Sequence, residues 1–219
     1  VTQTYVDTSE VQSRLNQLGL DEKKLTEIVR RGYIAFASCT RNDPPFYPGF
    51  SAWAVMVRGL REYLLPHWER SDESNYSLVI NPAGTVAIAV ATGDEMTGLP
   101  TGSPATKSAK GASTVEAITS NQAQLDLPYD FPPIAAPADS AESVSPGEQR
   151  MTWIFLVHRA QGEVRSELSL PTSMRLDGRV DGWRERIILD PVPTDPALLE
   201  NGSPESPLPD ITIDVKRRA

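Results

Sequence analysis

The chain has 219 residues and a mass of 24.0 kDa, enough to bury a core of ordinary size in one domain. Its net charge of −8 weighs against direct binding of duplex DNA, whose affinity is built from Lys and Arg neutralising phosphates. With two histidines and one cysteine, His67, His158 and Cys39, and no CxxC or HxxxH spacing, it lacks the ligand set of a structural zinc site and has few bases for a Ser or Cys nucleophile. No metal and no cofactor are predicted.

Asp7, Thr8 and Ser9 offer N-cap oxygens ahead of Val11, Leu15 and Leu18, whose spacing marks one helix face, and Gly19 supplies the stop. A second helix is expected from Asp21, with Leu25, Ile28, Val29 and Ile34 turned inward and Gly32 weakening its later half. Residues 42–45 break the pattern and Pro48-Gly49 prolongs the break, so a third helix is placed at 51–65, carrying a stripe of Trp53, Val57, Leu60 and Leu64 and ended by Pro66.

The period then changes from 3.6 to 2. Strands are predicted at 76–80 and 85–91 around the turn Asn81-Pro82-Ala83-Gly84. In the second, Val86, Ile88 and Val90 face one way, while Thr85, Ala87, Ala89 and Ala91 form a small face suited to close approach by a helix from the first third. Residues 93–111 read as a long loop and 113–124 as a short helix. Residues 128–149, rich in Pro, Ala, Ser and acids, read as a linker or an ordered crossover. Beyond them Met151–Arg159 is apolar on both faces, as a central strand requires. Gln161-Gly162 turns the chain into 163–170, where charged and apolar residues alternate, one face toward the core and one toward solvent. Further strands are expected at 183–189 and 211–215, separated by a proline-rich stretch.

These elements predict an α+β fold: N-terminal helices packed on a mostly antiparallel sheet in a single composite domain. Residues 1–127 supply the helical portion and first hairpin, 128–149 the connection, and 150–219 the remaining strands of the same sheet.

Four groups of residues bear on chemistry. Lys107 and Lys110 lead through Gly111 into a helix start, as in a phosphate cradle, but no glycine directly precedes either lysine, so the P-loop pattern fails and an exposed loop with a Ser or Thr cap is the plainer reading. Glu163, Arg165 and Glu167 alternate on one strand, opposite Arg184, Glu185 and Arg186. Carboxylates so spaced suit acid and base work or a hard metal ion, whereas a solvated cross-strand ladder is the commoner use. Asp94 and Glu95 read as loop-capping residues, and His67 and His158 as structural ones. Phe46 and Tyr47, flanked by Pro45 and Pro48, are hard to bury in a loop and mark a surface for a partner.

The N-terminus is polar, carrying Asp7 and Glu10, Cys39 has no partner for an intramolecular disulfide, and no apolar run approaches the ~20 residues of a membrane helix. A cytoplasmic location without membrane association is therefore expected; residues ahead of Val1 and the oligomeric state are left open. The runs DPPFYPGFSAWAVMVRGLRE, NYSLVINPAGTVAIAVATGDE, ELSLPTSM and GWRERIIL resemble a group of uncharacterised proteins carried by bacterial integrative elements and plasmids, over most of residues 18–218. The resemblance implies an accessory protein of mobile DNA and carries no site residues with it. Two functions are thus expected: a non-enzymatic protein that acts on a protein partner through its acidic surface or its aromatic loop, or a metal-assisted hydrolase or nuclease using Glu163, Arg165 and Glu167.

Overall fold

A computed structural model describes residues 2–125 and 150–194. The predicted 128–149 connection, the strand at 211–215 and the basic Lys216-Arg217-Arg218 lie outside the described residues.

The fold is α+β. Its elements run β1 (Gln3–Tyr5), α1 (Thr8–Gln17), α2 (Glu22–Ala37), α3 (Tyr47–Leu64), β2 (Glu69–Ser71), β3 (Leu78–Ile80), β4 (Val86–Thr92), α4 (Ala112–Leu125), β5 (Met151–Arg159), β6 (Glu163–Met174), β7 (Val180–Ile188) and β8 (Val192–Pro193). All strands join one sheet in the order β1-β7-β6-β5-β4-β3-β2, with β8 added beside β6. The pairings are antiparallel except β1 with β7 and β4 with β5. Parallel neighbours need a long crossover, and α4 lies in the one between β4 and β5.

The helix ends follow the capping signals. The Asp7 carboxylate accepts from Ser9 N at 2.9 Å, and Asp21 accepts from Lys24 N at 3.0 Å, each satisfying an amide that the first turn leaves free. Gly19, with φ of 73°, ends α1 in the left-handed region. Gly32 does not weaken α2, because it is the contact point with α3: a Cβ there would fall 2.5 Å from Met56 Cγ. Two expectations in this region are corrected. Ile34 is 49% exposed, since it shares the outer face of α2 with Glu27, Arg31 and Ser38. The third helix starts at Tyr47, and Pro48 lies in its first turn, where a missing N–H costs nothing.

The sheet is covered on both faces. On one, α1, α2 and α3 bury Val11, Leu15, Leu25, Ile28 and Leu60 against Ile88, Trp153, Phe155, Leu168 and Ile187. On the other, Ile118 of α4 packs with Ala91, Ile154, Leu156, Val180 and Trp183. The small alanine face of β4 therefore meets α4, whereas the helices of the first third take the Ile88 and Val90 face. Residues 93–111 also lie on the α4 side, tied down by Thr106 N to Val180 O at 2.9 Å, Lys110 N to Gly178 O at 2.8 Å and Trp183 Nε1 to Pro104 O at 2.8 Å.

One proline is accommodated in the middle of this sheet. The β5–β6 register, Ile154 opposite Ser169, would set Thr152 opposite Pro171, which has no N–H to give. Asn121 of α4, fully buried, takes that place: its amide accepts from Thr152 N at 2.7 Å and donates to Thr152 O at 2.9 Å and Pro171 O at 3.0 Å. From there β6 and β7 pair through a series of register shifts toward their hairpin end.

Candidate functional site

The strand face carrying Glu163, Arg165 and Glu167 is not a solvated ladder, because residues 93–111 close over part of it. Glu167 is fully buried. Its carboxylate receives Arg186 Nε at 3.0 Å, a second bond from Arg186 Nη2, Ser169 Oγ at 2.7 Å and Gly98 N at 2.8 Å. Arg186 in turn donates to Gly102 O at 2.6 Å and Leu99 O at 3.1 Å. The pair is thus a clasp: charges on two adjacent strands hold down the loop backbone, and every strong acceptor on Glu167 is engaged.

Arg165 and Glu163 lie toward the open end of the same face. Arg165 Nη2 donates to Glu95 O at 2.8 Å, and its Nε stands 3.7 Å from the Glu163 carboxylate. Glu163 and Glu167 therefore face different partners and do not form a free carboxylate pair. Arg184 is exposed, and Glu185 bonds Arg14 of α1 at 2.7 Å on the opposite side of the sheet. Among the described residues no group of three or more His, Cys, Asp or Glu side chains converges as metal ligands do.

The loop lysines separate. Lys107 is exposed, its backbone N bonded to Thr92 O at 2.9 Å at the end of β4. Lys110 lies near the start of α4, where burial holds its ammonium below the usual range. Asp94 caps the loop as its position suggested, accepting from Met96 N at 3.1 Å and Ala105 N at 2.9 Å. His67 is exposed after α3, while His158 is half-buried at the end of β5, its Nδ1 3.3 Å from Gly93 O. Burial, with Arg165 and Lys107 adding to it, lowers the His158 pKa. The Cys39 thiol is buried and donates to Ala35 O at 3.3 Å, and that burial raises its pKa.

The aromatic loop is the most exposed of the predicted features. Phe46 is 43% exposed, Tyr47 41% and Phe50 53%. They occupy the start of α3 rather than an irregular loop, and Gly32 of α2 approaches α3 closely at Ala52 O. Phe50 rests on Trp53 with ring centroids 5.7 Å apart, and Trp53 Nε1 donates to Val90 O at 3.1 Å. The patch is thereby seated on the sheet. Phe50, one turn on from Phe46, completes it, while Ile34 is exposed on the outer face of α2, where it follows Glu27 and Arg31 at helical spacing.

The gap under α3 lined by Val57, Leu60, Val79 and Ile88 has no room for even a water molecule, so it does not serve as a small-molecule pocket. Among the described residues no helix is long and apolar enough to cross a membrane. Comparison of the chain with protein-family models, with curated protein sequences and with solved structures finds no match.

Proposed function

We propose that this chain is a non-enzymatic accessory protein of a bacterial mobile genetic element that acts by binding a protein partner, with the aromatic corner of α2 and α3 as its contact surface. The observation that supports this reading is the exposure of Phe46, Tyr47 and Phe50 together at the start of α3, with Phe50 resting on Trp53. Large apolar side chains grouped at the surface cost solubility and are retained where they are covered in use, and aromatic anchors dominate the energetics of protein interfaces. The chain's net charge of −8 steers approach to a basic partner, an effect that weakens with salt.

The test is affinity capture from bacterial cells with the native chain and with a Phe46→Ser, Tyr47→Ser, Phe50→Ser variant, after thermal melting has established that both are folded. A protein retained by the native chain and lost from the variant is the expected result. Identical capture by both overturns the aromatic corner as the contact surface, and a divalent-dependent hydrolysis lost in Glu163→Gln overturns the non-enzymatic reading.

A further inference from the structure

We propose that the carboxyl ends of β4 and β5 bind a small oxyanion of the phosphate class, held by His158, Arg165 and Lys107. The inference is independent of the aromatic corner, which lies on the helices of the opposite sheet face.

The topology brings the three side chains together. Strands β4 and β5 are parallel neighbours whose last paired residues are Thr92 and Val157, so Gly93 and His158 come next at the same end. Arg165 is the cross-strand partner of His158 on β6. Lys107 returns to this end through its amide bond to Thr92 O at 2.9 Å. The ends of parallel strands are where open α/β sheets place their ligands, because the chain leaves there in loops rather than in paired backbone.

Arg165 and Lys107 bring two positive charges to His158, beside the acids Asp94, Glu95 and Glu163. Of the acids nearby, Asp94 has both oxygens occupied by the amides of Met96 and Ala105. Glu163 stands 3.7 Å from Arg165 Nε and is partly turned to solvent, with 40% of its side chain exposed. Glu95 meets Arg165 through its backbone oxygen. Among the described residues the fully buried Thr97 hydroxyl has no hydrogen-bond partner, and Arg165 Nε has only the ion pair to Glu163 at 3.7 Å, so this end of the sheet holds donors whose hydrogen-bonding capacity the described residues leave unused.

The histidine geometry suits an anion. With Nδ1–H donating to Gly93 O at 3.3 Å, Nε2 is left for a ligand. In the free protein burial and the two cations favour the neutral ring. A bound dianion reverses that balance, so binding draws a proton onto His158 and raises its titration midpoint. Donors arriving from β5, from β6 and from the loop surround a tetrahedral group better than they match a planar carboxylate.

The experiment is NMR titration of the two histidine rings over pH with increasing inorganic phosphate at constant ionic strength. His158 is expected to show a saturable rise in titration midpoint, with exposed His67 unchanged as an internal control. Lys107→Ala, a change at an exposed side chain, should weaken the effect about fivefold, and Arg165→Gln should weaken it further. A nucleoside 5′-monophosphate that saturates at lower concentration identifies a phosphate ester as the ligand; equal saturation identifies the free anion. A midpoint that drifts linearly, that moves equally at His67, or that is unaltered by Lys107→Ala overturns the proposal.

Discussion

The two faces of the sheet are covered by different physics. Under α1, α2 and α3 the contact is mainly apolar, from Leu15 and Leu60 to Trp153 and Phe155, with the Arg14–Glu185 pair and the Trp53 bond to Val90 O added to it, and most of its strength comes from area withdrawn from water. Under α4 and residues 93–111 the apolar cluster is smaller, and Glu167, Arg186, Ser169, Asn121, Thr152 and Thr106 are buried alongside it. A loop rich in Gly, Pro and Thr has few large side chains to bury, so it is fixed by directional bonds to charges and amides instead. A face of the first kind tolerates small changes of shape; one of the second kind fails when a single partner is removed.

That contrast is broken most severely at the clasp. Glu167→Ala leaves Arg186 buried without a counter-charge and should destabilise by about 3–5 kcal/mol in urea denaturation. The Gly98 amide should also lose hydrogen-exchange protection. Replacing both partners, Glu167→Met with Arg186→Leu, should recover most of the stability while leaving that amide unprotected. A smaller loss, about 1–3 kcal/mol, is expected for Asn121→Ala, which strips Thr152 and Pro171 of their buried partner. On the apolar face Ile88→Val removes one methylene and should cost about 0.5–1.5 kcal/mol by the same measurement. If Ile88→Val proves as costly as Asn121→Ala, the two faces do not differ in kind.

The smallest effect is the pH response of His158. Its folded pKa lies below the ordinary histidine value of about 6.5. The unfolded chain therefore takes up the proton first, so the contribution is fully present above that value and is lost as pH falls toward the folded pKa. In phosphate-free buffer the melting temperature should decline as pH falls from about 7 to 5.5, and His158→Gln should flatten the decline.

Much of the secondary structure was legible because local signals decided it. Asp7, Asp21 and Gly19 mark helix ends through the backbone groups they satisfy or the conformation they permit, and Met151–Arg159 reads as a central strand because both of its faces are apolar. Pro48 misled because the same ring that breaks a helix interior fits its first turn. Short strands such as β1 and β2 have three residues each and exist only through their neighbours, so no periodicity announces them. The larger failure of sequence pattern concerned the site. Alternation at 163–167 separates two faces correctly, but it cannot say that a distant loop covers the charged one; that depends on Gly98 and Gly102 reaching Glu167 and Arg186 across 69 and 84 residues of chain. Likewise Phe46 and Tyr47 were identifiable as hard to bury, whereas the exposure of Ile34 follows from its place on the outer face of α2.

The side-chain amide of Asn121 has a consequence for assembly of the fold. By imitating a peptide unit between Thr152 and Pro171, it sets the rotation and axial position of α4 on the sheet, which apolar contact alone would leave free to slide. The setting of the helix is defined by β5 and β6 together, so this residue couples a local element to strands that lie later in the chain.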